Sequence, residues 1–196
     1  MIALLLSGIG SAAPAGLNAT LPLLILALVD RFTGAVALQH PYSLISSGWG
    51  LVVLLVVLPI ELIADKIPRI DHANDLLHSV FRPASGAFIM MAVCSQNDRI
   101  NIVVSSILGL ISAGAVHWFK FVNRPLVTKA TRGVGNPIVS MAEDFLVIVC
   151  TVVSLLVPYA ALVILPLCGW IIYWTYVRFR SGEVRLGGLM GPARSA

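Results

Sequence analysis

Charged side chains are scarce in this chain. Only 11% of its 196 residues are Asp, Glu, Lys or Arg, whereas 58% are hydrophobic. Ordinary soluble domains carry about 25% charged residues. A water-soluble core cannot absorb this much apolar surface in so short a chain, so the composition indicates a lipid-embedded helical protein. The formal net charge of +4 is small and scattered, and we expect no nucleic-acid partner.

Cysteine and recognisable catalytic motifs are also rare. Cys94, Cys150 and Cys168 show no CxxC or Cys/His spacing, so we expect buried thiols rather than a disulfide framework. The sequence contains no Gly-x-Ser-x-Gly elbow, no His-Glu-x-x-His site and no phosphate-binding loop. An enzyme is therefore the least favoured class, and no cofactor is expected.

Long apolar stretches are what the chain does have, at residues 1–13, 19–32, 44–64, 71–94, 100–119, 138–157 and 159–177. The first is shorter than the roughly 20 residues of a standard span, and it lacks the basic start of a signal peptide, so we expect it to be retained. The fourth is predicted to break at Arg82-Pro83. The predicted fold is all-α: a polytopic transmembrane bundle of six to seven segments with broken helices, filling residues 1–180.

Basic residues predict the orientation of this bundle. If the chain crosses at 19–32 and at each later stretch, one face keeps only Arg31 and Arg99, and the other collects Lys66, Arg69, Lys120, Arg124, Lys129, Arg132, Arg178, Arg180, Arg185 and Arg194. This asymmetry predicts a multi-pass inner-membrane protein with a cytoplasmic C-terminus. Residues 181–196 are expected to form a disordered cytoplasmic tail.

Two predicted helix breaks have a similar composition and a similar position relative to the apolar stretches. Residues 14–18 open the stretch 19–32, and residues 133–137 open the stretch 138–157, each with Gly, Pro and Asn. One interpretation is an internal repeat, with halves at 1–66 and 100–178 around a central segment at 71–95. The alternative is that Gly and Pro are simply frequent near the ends of membrane helices.

Carboxylates inside apolar stretches are the candidate functional groups. Glu143 and Asp144 stand side by side ahead of a long apolar run. An ionised group at that depth costs several kcal/mol and usually handles a proton or cation, or is paired. The two side chains are about 100° apart on a helix, so at most one can face a narrow cavity. Ion pairing with Lys120, Arg82 or Arg124 is the alternative interpretation.

A second acidic group precedes the central segment. Glu61 and Asp65 are four residues apart and share a helix face, where they need a cation, a proton or a basic side chain between them. A solvated hairpin is the alternative for Asp65. Together with Glu143 and Asp144, these acids could also hold a divalent metal. Asn136 precedes Glu143 by about two turns, and His117 is expected to be an interfacial polar tip.

Four motifs carry a resemblance to a known family. They are AGLNATLPLL at 15–24, ELIADKIPRID at 61–71, RPASGA at 82–87, and GNP at 135–137 with SMAED at 140–144. With these motifs the chain resembles the bacterial domain-of-unknown-function family 4126 over about residues 10 to 177. The resemblance implies a small polytopic inner-membrane protein with polar motifs at helix breaks, and it brings no activity. Asn18 departs from the basic residue that the resemblance implies after Gly16-Leu17.

These patterns favour a transporter or channel for a small ion or polar solute, surrounded by the lipid bilayer. Its site is expected in the cytoplasmic leaflet, built from Asn18, Glu61, Asp65, Arg82, Asn136, Glu143 and Asp144. The alternative is a lipid-handling or scaffolding membrane protein without transport activity. A water-filled cavity at Glu143 would favour transport, dry ion pairs would favour a structural role, and a groove open to lipid would favour lipid handling.

Overall fold

A computed structural model describes residues 1–64, 68–131 and 135–180, and within them the chain is all-α, as predicted. The described residues form seven α-helices and no strand. Short 3-10 turns follow α1, precede α3 and precede α7. The helices are α1 (Ile2–Ala12), α2 (Thr20–Phe32), α3 (Gly48–Ala64), α4 (Pro68–Cys94), α5 (Ile102–Thr131), α6 (Asn136–Leu156) and α7 (Ala161–Arg180). The predicted tail at 181–196 lies outside the described residues.

Local sequence signals explain where several helices begin. The side chain of Asn101 accepts hydrogen bonds from the N–H groups of Val103 (2.8 Å) and Val104 (3.3 Å), which satisfies the first donors of α5. Proline stands in the first turn of α6, where its missing N–H costs nothing. The predicted break after residue 13 is confirmed, because a 3-10 turn separates α1 from α2.

Two predicted helix boundaries are wrong. The break expected at Arg82-Pro83 does not occur, since α4 runs through Pro83 without interruption. Inside a bundle, neighbouring helices can compensate for the hydrogen bond that a proline removes. Helix α5 does not end near residue 119 but continues to Thr131, a length of about 45 Å. Three of its polar residues beyond 116, His117, Lys120 and Arg124, are buried and contact other helices.

Helices α4 and α5 form the most extensive helix pair. Gly86 and Gly109 allow their backbones to approach closely, because a Cβ atom on Gly86 would lie 2.7 Å from the carbonyl oxygen of Gly109. The largest apolar cluster lies beside this contact and includes Ala12 of α1, Ile89 of α4 and Ala113 of α5. Helices α1 and α6 pack on the same core, and α3 and α7 lie toward the outside.

On α3 the distribution of side chains is inverted relative to a helix of a soluble protein. Glu61 is the one buried residue of α3, whereas Trp49, Val53 and Ile60 on the same helix are exposed. By length and composition, two helical segments in the described part can cross a membrane, Ile102–Lys129 and Asn136–Leu156. Three more are apolar but shorter: Ile2–Gly16, Gly48–Ala64 and Pro158–Trp174.

Candidate functional site

The break between α1 and α2 is the centre of the site. Pro14 lies in the 3-10 turn Ala13–Gly16 and lacks the N–H that a helix interior needs. Gly16 lies so close to α5 that a Cβ atom there would sit 2.8 Å from the backbone nitrogen of His117. The break therefore presses against α5, and it leaves backbone polar groups inside the bundle that need partners.

Asn18 restarts the helix on the far side of the break. Its Oδ1 accepts hydrogen bonds from the N–H groups of Thr20 (3.1 Å) and Leu21 (3.0 Å). Its Nδ2 donates to Oδ1 of Asp144 on α6 at 3.1 Å. Asn18 is buried and Asp144 is half-buried. One amide side chain thus caps α2 and links it to α6.

Glu61 of α3 binds the same helix end from the other side. The N–H of Ala19 donates to its Oε1 (2.9 Å), and the N–H of Thr20 donates to its Oε2 (3.0 Å). Two groups of α4 also lie near Oε1: Nε2 of His78 at 3.4 Å and Nε of Arg82 at 3.7 Å. Glu61 is 3% exposed. A buried carboxylate therefore occupies the N-terminus of α2, where the helix dipole favours negative charge.

Lys120 of α5 binds the opposite, carbonyl end of the break. Its Nζ donates to the carbonyl oxygen of Leu17 at 3.0 Å and lies 3.4 Å from Oε2 of Glu143. Nη1 of Arg124, one turn further along α5, also donates to Oε2 of Glu143, at 3.1 Å. All three charged side chains are buried. The carboxylate of Glu143 is thus clamped by two cationic side chains.

His117 extends the network between α4 and α5. Nη1 of Arg82 lies 3.5 Å from Nδ1 of His117, and Oγ of Ser79 lies 3.1 Å from Nε2. Because a guanidinium can only donate, Nδ1 is the acceptor, and the neutral ring carries its proton on Nε2 toward Ser79. The expectation of an interfacial tip is wrong: the ring is buried, since α5 continues past it as a helix.

The start of α6 is tied to α5 by a second polar contact. Nδ2 of Asn136 donates to Oγ1 of Thr128 at 2.9 Å, and the carbonyl oxygen of Asn136 accepts a hydrogen bond from Nη2 of Arg124 at 3.4 Å. Asn136 is fully buried. Arg124 therefore joins the α6 start to Glu143 and, through Lys120, to the α1–α2 break.

The structure brings most of the predicted site residues together. Asn136 reaches the others through Arg124, and Asp65 lies outside the described residues. Within the described ranges, no group of three or more His, Cys, Asp or Glu is arranged to hold a metal ion. Gathered around the α1–α2 break are Asn18, Glu61, Arg82, Glu143 and Asp144.

Sequence reasoning named the partners of Glu143 correctly but missed another residue of the site. Lys120 and Arg124 pair with Glu143, as the ion-pair alternative expected, and Arg82 lies 3.7 Å from Glu61. His78 was not predicted. It could have been predicted from its position four residues before Arg82, because this spacing places both side chains on one face of α4. On α5 the same periodicity runs through His117, Lys120, Arg124 and Thr128.

Opposite charges in the described part of this network are matched in number. The cationic side chains are Arg82, Lys120 and Arg124, and the carboxylates are Glu61, Glu143 and the half-buried Asp144. Removing one partner of a buried pair leaves an uncompensated charge, which is strongly destabilising. The network therefore holds α2, α3, α4, α5 and α6 in one arrangement around the break.

Comparison with known proteins agrees with the sequence motifs. No curated protein and no solved structure matches the chain. A family model described as "Domain of unknown function (DUF4126)" matches residues 5–178, which include every described residue of the charged network. Since this match covers most of the chain, the protein belongs to the DUF4126 family.

Proposed function

We propose that this DUF4126 protein is a polytopic inner-membrane protein that moves a small anion or an oxygen-bearing polar solute. The inverted side-chain distribution supports the membrane placement. Only 22% of the most apolar part of α5 and 44% of the most apolar part of α6 is buried, whereas the core helix of a soluble protein is mostly buried. On α3 the apolar side chains face outward and Glu61 is buried, which also supports a membrane placement.

In this placement α2 to α7 are six crossing segments, and the short α1 is the seventh, either crossing or re-entrant. The basic residues put the C-terminus and the α1–α2 break on the cytoplasmic side. The charged network then lies in the cytoplasmic leaflet. Residues 1–180 form one membrane domain in this proposal, with the end of α7 on the cytoplasmic side.

The transport proposal rests on one observation: charged side chains bind the free backbone groups at the α1–α2 break. The N–H groups of Ala19 and Thr20 bind the carboxylate of Glu61, and the carbonyl of Leu17 binds the ammonium of Lys120. In secondary transporters, the ends of broken helices are where substrate and coupling ions bind. Here the side chains of Glu61 and Lys120 occupy those positions.

Protonation of Glu61 is the proposed switch. A neutral carboxyl group binds two N–H donors and Arg82 less strongly, which frees these groups for an acceptor atom of the solute. Nε2 of His78 lies 3.4 Å from Oε1 of Glu61, so His78 is the side chain placed to exchange a proton with the buried acid. Binding of an anion would then be coupled to binding of a proton.

Thermal unfolding of the detergent-purified protein tests this proposal. With chloride, nitrate, formate or phosphate added, we expect an anion to stabilise the wild type at acidic but not at alkaline pH. Glu61→Gln mimics the protonated acid, so it should respond at both pH values. A ligand at 100 times its Kd adds about 2.7 kcal/mol. Asp98→Asn, an exposed carboxylate outside the network, is the matched control.

A structural or lipid-handling role is the second candidate, and two observations favour it. Glu143 is paired directly with Lys120 and Arg124 inside the bundle, and an apolar groove runs along α5 and α7. In the same unfolding experiment, this role predicts that no anion stabilises the wild type at either pH. It also predicts a large loss of stability in Glu61→Gln that no anion restores, and that result would replace the transport proposal.

A further inference from the structure

Two cysteines face each other across the α6–α7 hairpin. Sγ of Cys150 lies 3.2 Å from Sγ of Cys168, although the two residues are 18 apart in the chain. The 3-10 turn Pro158–Ala160 connects the helices and places the thiols at similar depths on neighbouring faces. Both side chains are buried and both thiols are free. The charged network uses neither of them.

Both thiols line an apolar groove that leads to the surface of the bundle. Cys150 and Cys168 border a cavity of about 80 Å³. A second cavity of about 260 Å³ adjoins it, and the exposed residues Ala115 and Tyr173 are part of its lining. The two cavities share four lining residues: Leu17, Val116, Gly169 and Ile172.

The chemistry of this groove restricts what can reach the thiols. Its lining is almost entirely apolar, and in the proposed membrane placement its mouth faces lipid rather than water. A reagent dissolved in the bilayer can therefore enter, whereas a charged aqueous reagent would lose its hydration. Two adjacent thiols are a two-electron donor, and a lipid-soluble quinone is a two-electron acceptor of matching polarity.

We propose that Cys150 and Cys168 are a redox-active thiol pair that a bilayer quinone oxidises to a disulfide. Two S–H bonds break and one S–S bond forms. The two electrons and two protons pass to the quinone, which leaves the groove as the hydroquinone. The disulfide links α7 to α6 beside Leu17, whose carbonyl oxygen binds Lys120. The proposal rests on the membrane placement but not on anion transport.

Cys94 provides an internal control. It is a fully buried thiol on α4, packed in the apolar core with α1 rather than in the groove. Cys94 is therefore buried like the pair, but it does not line the groove and is not paired with a second thiol in the described structure.

The test uses the full chain, reduced and reconstituted in lipid vesicles. A short-chain ubiquinone analogue is added to one sample and oxidised glutathione to another; remaining thiols are then alkylated and the protein is analysed by mass spectrometry. We expect a 150–168 cross-linked peptide with the quinone, one hydroquinone per protein, and Cys94 still alkylated. Cys94→Ser should retain the hydroquinone yield, and Cys150→Ser and Cys168→Ser should each abolish it.

The wild-type protein alone decides the outcome if a variant fails to fold. Absence of the 150–168 peptide after quinone treatment would overturn the proposal. Equal oxidation by glutathione in intact vesicles would also overturn it, because the thiols would then be open to water. Neither result depends on anion binding, so the thiol pair and the transport proposal can fail separately.

Discussion

At the scale of single residues, the two buried glutamates have different partners. Glu143 is clamped by the cationic side chains of Lys120 and Arg124. Glu61 is held by two backbone N–H groups and reaches Arg82 only at 3.7 Å. Because of this difference, the transport proposal gives the exchanging role to Glu61 and a structural role to Glu143.

The double role of Asn18 gives a residue-scale prediction. Asn18→Asp keeps an acceptor for the N-terminus of α2 but removes the amide donor to Asp144 and puts two carboxylates face to face. We expect a loss of about 1–3 kcal/mol in unfolding free energy, typical of a lost partner for a buried polar group. The measurement is reversible unfolding of the purified protein in mixed micelles.

A second substitution separates the two functions of Asn18. Asp144→Asn in the Asn18→Asp background restores a donor opposite the new carboxylate, so we expect most of the lost stability to return. If the double variant is instead as unstable as the sum of the single variants, the Asn18–Asp144 contact is not a specific interaction.

The acidic residues also show how far the sequence could predict the site. The 100° offset between Glu143 and Asp144 predicted that they would face different partners, and they do: one faces α5 and the other faces Asn18. Helical periodicity places a side chain on a face but does not say which helix covers that face. For this reason the sequence does not predict the contact between Arg82 and Glu61.

At the scale of helices, the sequence predicted the α1–α2 break but also a break at Pro83 that is absent. The surroundings of the two prolines explain this difference. After Pro14, the side chains of Asn18 and Glu61 bind the backbone N–H groups that the break leaves without helical partners. Pro83 lies in a helix that packs along α5 over a long contact, which keeps the helix together despite the proline.

The contact between α4 and α5 depends on Gly86. A Cβ atom there would lie 2.7 Å from the carbonyl oxygen of Gly109, so we expect Gly86→Ala to cost about 1–3 kcal/mol by overpacking. Gly114→Ala on α5 is the matched control, because the nearest atom to its Cβ would be 3.8 Å away. Equal stability of the two variants, measured by thermal unfolding, would contradict the close approach of these helices.

At the scale of the whole molecule, membrane orientation can be tested by labelling. In a background with all three cysteines replaced by Ser, Asp98→Cys in the α4–α5 loop should react with an impermeant maleimide added outside intact cells. Ser195→Cys, beyond the described residues, should react only after the cells are opened. Labelling of both positions from the same side would contradict six crossings after α1.

In the transport proposal, protonation of Glu61 frees the α1–α2 break for an anion. Flux can be measured in proteoliposomes that contain a pH indicator, with an outward gradient of the anion found in the unfolding experiment. We expect proton movement coupled to the anion gradient in the wild type and in Asp98→Asn. In Glu61→Gln we expect at least a tenfold loss of that proton movement while the anion still crosses. Wild-type flux no faster than in protein-free vesicles would show that the protein does not move the anion.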